Sequence, residues 1–214
     1  MIKALLFDLD GVIIDSGDFH FKAWQSFCAR FNRNITCEEF KKGFGQTNKD
    51  ILNDMLQKAL TDEEIQHYSD EKETIFRNLA RGKIKLIPGA KAFIKNMKKN
   101  QAVMGLVSST PRANIDFILI EIQLANYFDA IISSEDVQAG KPSPECYLKA
   151  ACQLHVKPEE CIVFEDAIPG VQAAIDAGMQ CIAITTTQPA KKLSQATYIV
   201  HSWKKVHDLP FFSQ

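Results

Sequence analysis

Ile2-Lys3-Ala4-Leu5-Leu6-Phe7-Asp8-Leu9-Asp10-Gly11 begins with a largely apolar run that stops abruptly on two carboxylates and a glycine. An apolar run without strict alternation is the pattern of a strand buried on both faces. Similar runs follow at Ala102 to Val107, Ala130 to Ile132, Cys161 to Phe164 and Cys181 to Ile184. Helical patterns lie between them, at Ala90 to Lys99, Ala113 to Ile122, Pro144 to Leu154 and Gly170 to Ala177. Strand and helix in alternation predict an α/β fold of three layers, a doubly wound parallel sheet with helices on both faces. Functional groups in such sheets gather at the carboxyl ends of the strands. The stretch 16–86 breaks the alternation, with helical patterns at Phe19 to Phe31, Thr36 to Phe44, Asn48 to Leu60 and Thr61 to Leu79 and no buried strand among them. Thr61-Asp62-Glu63-Glu64 reads as a capping box, and Pro88-Gly89 marks the return to the sheet. The expected organisation is a core of residues 1–15 and 87–214 carrying an inserted helical domain of residues 16–86.

The 214 residues are 46% hydrophobic and 24% charged, with a formal net charge of -1. That composition belongs to a soluble globular chain. Its charge offers no basic field to nucleic acid or to an anionic membrane, which points to a small soluble partner. The first apolar run is too short for a signal peptide, and nothing later approaches a membrane span, so a cytoplasmic setting is expected. Cys28, Cys37, Cys146, Cys152, Cys161 and Cys181 show no zinc-ligand spacing and read as reduced thiols.

Asp8-Leu9-Asp10-Gly11 places two carboxylates on one side of an extended chain, and Val163-Phe164-Glu165-Asp166 places two more at the end of another buried run. Either pair alone also fits helix capping and solvation. If both strands are central and parallel, four carboxylates face one crevice, where mutual repulsion and desolvation demand a cation. Oxygen-only ligands suit magnesium. Lys141, in Ala139-Gly140-Lys141-Pro142, follows a third strand end and can offset the carboxylates while holding a phosphate. In Ser108-Ser109-Thr110-Pro111, Thr110 with Pro111 reads as a helix start, which leaves Ser108 as a donor to a phosphate oxygen.

Asp8-x-Asp10-Gly11, Ser108, Lys141-Pro142 and Glu165-Asp166, in this order, resemble the four motifs of the haloacid dehalogenase (HAD) superfamily across essentially the whole chain. Asp15-Ser16, His20, Gly170 and Ala177-Gly178 add likeness to the subfamily of β-phosphoglucomutase, phosphoglycolate phosphatase and small sugar-phosphate phosphatases. The resemblance implies a Rossmann-like core with a helical cap inserted after the first motif, acting on a small phosphorylated metabolite as a monomer. It implies Asp8 as an ionised nucleophile and Asp10 as general acid and base, its pKa tuned upward. It also implies magnesium held by Asp8, the Asp10 backbone carbonyl and Asp166, with Glu165 a further ligand or its neighbour, and the phosphate held by Ser108, Ser109 and Lys141. Cap residues His20, Gln46, Thr47, Asn48 and Lys49 are the expected substrate contacts. Asn48 stands where the mutases of the subfamily carry an arginine, and Phe76 where they carry another cationic cap residue. Hydrolysis is therefore expected over isomerisation, with a β-phosphoglucomutase-like mutase as the alternative. A phosphonatase, with Lys42 or Lys49 as its amine, and a receiver-like phosphoacceptor module are remoter readings; a receiver carries no helical insertion and needs no second aspartate.

Overall fold

The fold was obtained as a computed structural model, which describes residues 1–43, 47–57 and 59–212. Among these residues one six-stranded parallel sheet forms the centre, from β1 (Ala4–Phe7), β4 (Val103–Val107), β5 (Ala130–Ile132), β6 (Cys161–Glu165), β7 (Gln180–Ile184) and β8 (Tyr198–Val200), in the order β5-β4-β1-β6-β7-β8. The chain steps outward from β1 through β4 to β5, then returns to start again at β6 on the other side of β1. This is a Rossmann-like order whose switch point lies between β1 and β6.

The buried runs alternate as a two-sided strand must. Leu5 and Phe7 join Leu106, Phe164 and Trp203 on one face, while Leu6 joins Val163, Cys181 and Tyr147 on the other. Phe7 stacks on Phe164 at 4.8 Å between ring centroids, in register across the β1–β6 pair. Helices α5 (Ala90–Lys99), α6 (Arg112–Glu121), α7 (Glu145–Gln153), α8 (Ile168–Asp176) and the short α9 (Trp203–Val206) cover the sheet. The expected α/β fold and helical cap are present.

The inserted helices are α1 (Gly17–Ala29), α2 (Cys37–Gly43), α3 (Asn48–Leu56) and α4 (Asp62–Ala80), and they bury Trp24, Phe27, Phe40 and Leu52 against one another. The capping box of α4 is formed, Thr61 accepting from the Glu64 amide and Glu64 from the Thr61 amide. Where the chain leaves and re-enters the core, β2 (Ile14–Asp15) and β3 (Lys85–Leu86) pair antiparallel. These two-residue strands, and β8, are too short to announce themselves by periodicity. Thr110 does not cap α6: Pro111 occupies the cap position without a side-chain bond, and the Thr110 hydroxyl turns to Asp10 instead, at 3.5 Å. The six cysteines are free thiols, Cys161 and Cys181 buried. No helix among the described residues is long and apolar enough to cross a membrane.

Candidate active site

The ends of β1, β4 and β6 bring Asp8, Ser108 and Glu165-Asp166 together, because β1 is paired on either side by β4 and β6. Asp8 continues the ladder, its amide donating to the Phe164 carbonyl at 3.0 Å. Lys141 reaches in from the loop after β5, its Nζ 2.6 Å from Asp8 Oδ1 and 2.7 Å from Glu165 Oε1. The ammonium also lies 5.1 Å from the centre of the Tyr147 ring, and the Tyr147 hydroxyl donates to Glu165 Oε1 at 2.7 Å. Glu165 Oε2 accepts from the amides of Asp166 (3.0 Å) and Ala167 (3.2 Å). Four donors thus fill the acceptor positions of the Glu165 carboxylate, so in this arrangement it orients Lys141.

Asp166 is different. Thr187 donates to its Oδ2, while the buried Oδ1 has no hydrogen-bond partner among the described residues. Carboxylate oxygens of Asp8, Glu165 and Asp166 lie within 4.8 Å of one another. Burial, opposed by Lys141 and reinforced by the charges of Glu165 and Asp10, pushes Asp8 up to about 8. Burial and the charges of Glu165 and Asp8 likewise raise Asp166 well above the carboxylate range. One ammonium does not balance three buried carboxylates, so the protein groups alone leave Asp8 short of positive charge. An orphaned buried oxygen, an all-oxygen donor set and this surplus of negative charge together fit a hard divalent cation.

Two glycines make room for the cluster. Gly11 adopts φ +82°, and a Cβ there would lie 2.1 Å from Asp166 Oδ2. Gly170 sits inside α8, where alanine would ordinarily stabilise by about 1 kcal/mol. A Cβ at Gly170, however, would fall 1.8 Å from Glu165 Oε1. Gly170→Ala is therefore expected to lower the melting temperature and to reduce kcat, the reverse of its helix-propensity effect; thermal unfolding and initial-rate kinetics check this.

Asp10 turns away from the cluster toward the cap. Ser16 donates to its Oδ1, and His20 Nε2 lies 3.4 Å from the same oxygen. Burial would raise its pKa, but the hydrogen bonds and charge of His20, with Ser16 and Lys72, outweigh it and hold Asp10 below the ordinary value. This reverses the expected upward tuning. Behind His20, Lys72 Nζ stands 3.0 Å from Nδ1, and the imidazole stacks on Phe76 at 4.1 Å. Lys72 supplies a cap cation one helical turn before Phe76, the position where the resembling mutases carry a cationic residue. Lys72 and Glu73 were not singled out from the sequence, although Lys72 interrupts the α4 stripe of Ile65, Tyr68 and Phe76, and a charge on an apolar stripe is the signal that would have found it.

One cavity is lined by Asp8, Asp10, Ser108, Ser109, Lys141 and Asp166 from the core and by His20, Asn48, Lys72 and Glu73 from the cap. The Ser108 hydroxyl accepts from the Thr110 amide at 3.2 Å. Asn48 Nδ2 donates to Glu73 Oε1 at 2.7 Å. Thr47 is buried but does not line the cavity, and Lys49 is exposed outside it. Gln46 lies outside the described residues.

A family model of haloacid dehalogenase-like hydrolases matches residues 5–184. The chain is 28% identical over 185 residues to a phosphorylated carbohydrates phosphatase of Thermotoga maritima, covering 85% of this chain and 84% of that protein. It is 29% identical over 197 residues to the chloroplastic 5-amino-6-(5-phospho-D-ribitylamino)uracil phosphatase of Arabidopsis thaliana, covering 91% of this chain but only 53% of that protein. The crystal structure of β-phosphoglucomutase from Clostridium difficile superposes with a TM-score of 0.86 at 27% identity, covering 96% of this chain and 93% of that one. With these likenesses beside the four strand-end motifs, the chain belongs to the haloacid dehalogenase-like hydrolases and is an enzyme that hydrolyses phosphate esters.

Proposed function

We propose that this enzyme is a magnesium-dependent phosphatase of small sugar or polyol phosphate monoesters that works through an aspartyl-phosphate on Asp8. The observation that carries the reading is the division of labour between neighbours: Asp8 sits in the carboxylate cluster beside Lys141, while Asp10, two residues on, is held by Ser16 and His20 at the cap.

Asp8, the Asp10 backbone carbonyl and Asp166 would hold the ion, with the Asp166 oxygen that lacks a partner as one ligand atom and Glu165 as the group that fixes Lys141. Bound there, magnesium supplies positive charge that keeps Asp8 ionised and screens the transferring phosphoryl group. An Asp8 oxygen attacks phosphorus in line and the P–O bond to the leaving group breaks. Lys141 and the Ser108 hydroxyl hold phosphoryl oxygens as the geometry changes, with Ser109 beside them. Asp10 is held low by its cap partners, but an incoming phosphate dianion raises it again by like-charge repulsion, so it binds a proton and passes that proton to the departing alkoxide. The resulting Asp10 carboxylate then takes a proton from water, whose oxygen attacks the phosphorus of the aspartyl-phosphate. Inorganic phosphate leaves and Asp8 is restored. His20 positions Asp10, and Asn48 faces the leaving group; Thr47 and Lys49, which do not line the cavity, act through the cap backbone and its closure. Closure of α1–α4 over the site excludes bulk water from the first step.

A panel of phosphate esters with and without magnesium tests the assignment. Phosphate release should fall on the order of a hundredfold or more on chelation and return with Mg2+. Metal-independent turnover would overturn it. A mutase is the second reading, favoured by the likeness to β-phosphoglucomutase. Isomerisation of a hexose 1-phosphate with little phosphate release would put it first.

A further inference from the structure

We infer that Glu73 is a specificity-determining residue, a buried cap carboxylate that favours an uncharged, hydroxyl-bearing leaving group and rejects esters carrying a second anionic group. The inference deepens the phosphatase reading and rests on it.

Glu73 is 2% exposed and lines the same cavity as Asp8 and Asp10. Its Oε1 accepts from Lys72 Nζ at 2.7 Å and from Asn48 Nδ2 at 2.7 Å, and its Oε2 accepts from Asn114 Nδ2 on α6. Asn114 is oriented by Arg77, whose Nη1 donates to Oδ1 at 2.6 Å, so the amide presents its NH2 to Glu73. Burial works against the charge, but Lys72, His20 and these donors hold the carboxyl below its ordinary value, so it is an anion.

Two consequences follow for whatever occupies the cap half of the cavity. Lys72 is already committed: Glu73 and His20 Nδ1 engage its ammonium, so the cap presents a neutralised pair in place of a cation able to grip a distal phosphate or carboxylate. The Glu73 charge thereby cancels most of the attraction that the Lys72 ammonium would exert on a second anion. A second anion therefore loses hydration with no net cation to meet it, and the one-charge difference that Glu73 makes, at an effective dielectric of ~20 and a separation of about 6 Å, corresponds to on the order of a hundredfold in affinity. An uncharged polyol meets no such penalty. The described residues take three of the four acceptor positions of the carboxylate, leaving one for a substrate hydroxyl. Because Asn114 belongs to the core and Glu73 to the cap, this arrangement is complete only when α4 lies against α6.

The test compares glycerol 3-phosphate with 3-phosphoglycerate, which differ by a hydroxymethyl group against a carboxylate. Wild-type enzyme should favour glycerol 3-phosphate in kcat/KM by on the order of tenfold, because the carboxylate of the acid loses hydration with no net cation to meet it. Glu73→Gln should lower that ratio at least tenfold, chiefly through KM for the acid, and Glu73→Asp should keep most of the preference. A wild-type ratio near one, or in favour of the acid, overturns the inference without recourse to any variant. An unchanged ratio in folded Glu73→Gln overturns it as well. Failure of the wild-type enzyme to hydrolyse any ester would instead remove the phosphatase reading on which it stands.

Discussion

Replacing Asp8 with Asn is expected to remove turnover, on the order of 10⁴-fold or more in kcat, while leaving a protein at least as stable as wild type. The amide matches the carboxylate in shape but cannot form the phosphoryl bond, so residual activity should reflect binding and the remaining electrostatics alone. The stability half follows from the electrostatics. Burial pushes Asp8 up to about 8, against an ordinary value of 3.8. An acid whose pKa is raised by folding destabilises the fold increasingly from the unfolded value up to the folded one, and fully above it, because the unfolded chain gains from ionisation that the folded chain resists. Between about pH 4 and 8 and without divalent cation, Asp8→Asn should therefore melt no lower than wild type, and added Mg2+ should stabilise wild type more than the variant. Thermal melts with and without Mg2+, run beside single-turnover assays, read both effects. Undiminished kcat in Asp8→Asn would exclude the covalent route.

How much of this was legible in the sequence depended on the distance over which each feature is specified. Phe7, Leu106, Phe164 and Ile182 announce buried strands by local composition alone, and the turn chemistry around Asp8 to Gly11 lies within four residues. Asp8, Lys141 and Glu165-Asp166 were found because strand ends converge by topology, so placing the strands placed the groups. The cap half resisted. Lys72 and Glu73 look like two more charges on a solvated helix until α1 brings His20, and α6 brings Asn114, against them. The protonation tendency of Asp10 was misjudged for the same reason. Its carboxylate neighbours are near in sequence and motif, whereas Ser16 and His20, which set its pKa, act through the fold of the hinge and the first cap helix. Thr110 shows a local rule losing to a tertiary partner: a hydroxyl before proline is an ordinary cap, but Asp10 lies across the crevice and takes it.

Lys141→Met should have the largest effect on stability and a large one on rate. Lys141 Nζ contacts both Asp8 and Glu165 at 2.6 and 2.7 Å, and all three groups are buried. Methionine fills much of the aliphatic volume but leaves the Asp8–Glu165–Asp166 cluster without its ammonium. Removing one partner from a buried charge pair costs about 3–5 kcal/mol, because the stranded charge pays desolvation without compensation. For a chain of this size that is a fall in melting temperature of roughly 6–20 °C. The loss should be partial in the presence of Mg2+, which can take over part of the neutralisation. It should also be largely reversed in Lys141→Met with Glu165→Gln, where the stranded charge is gone. Rate should not follow stability in that rescue. The double variant regains its melting temperature yet still lacks the cation that holds the phosphoryl oxygens, so kcat should remain down on the order of 10²–10³-fold. Recovery of both together would mean that Lys141 serves only the fold, and loss of rate without loss of stability would mean that the carboxylates are already neutral without it.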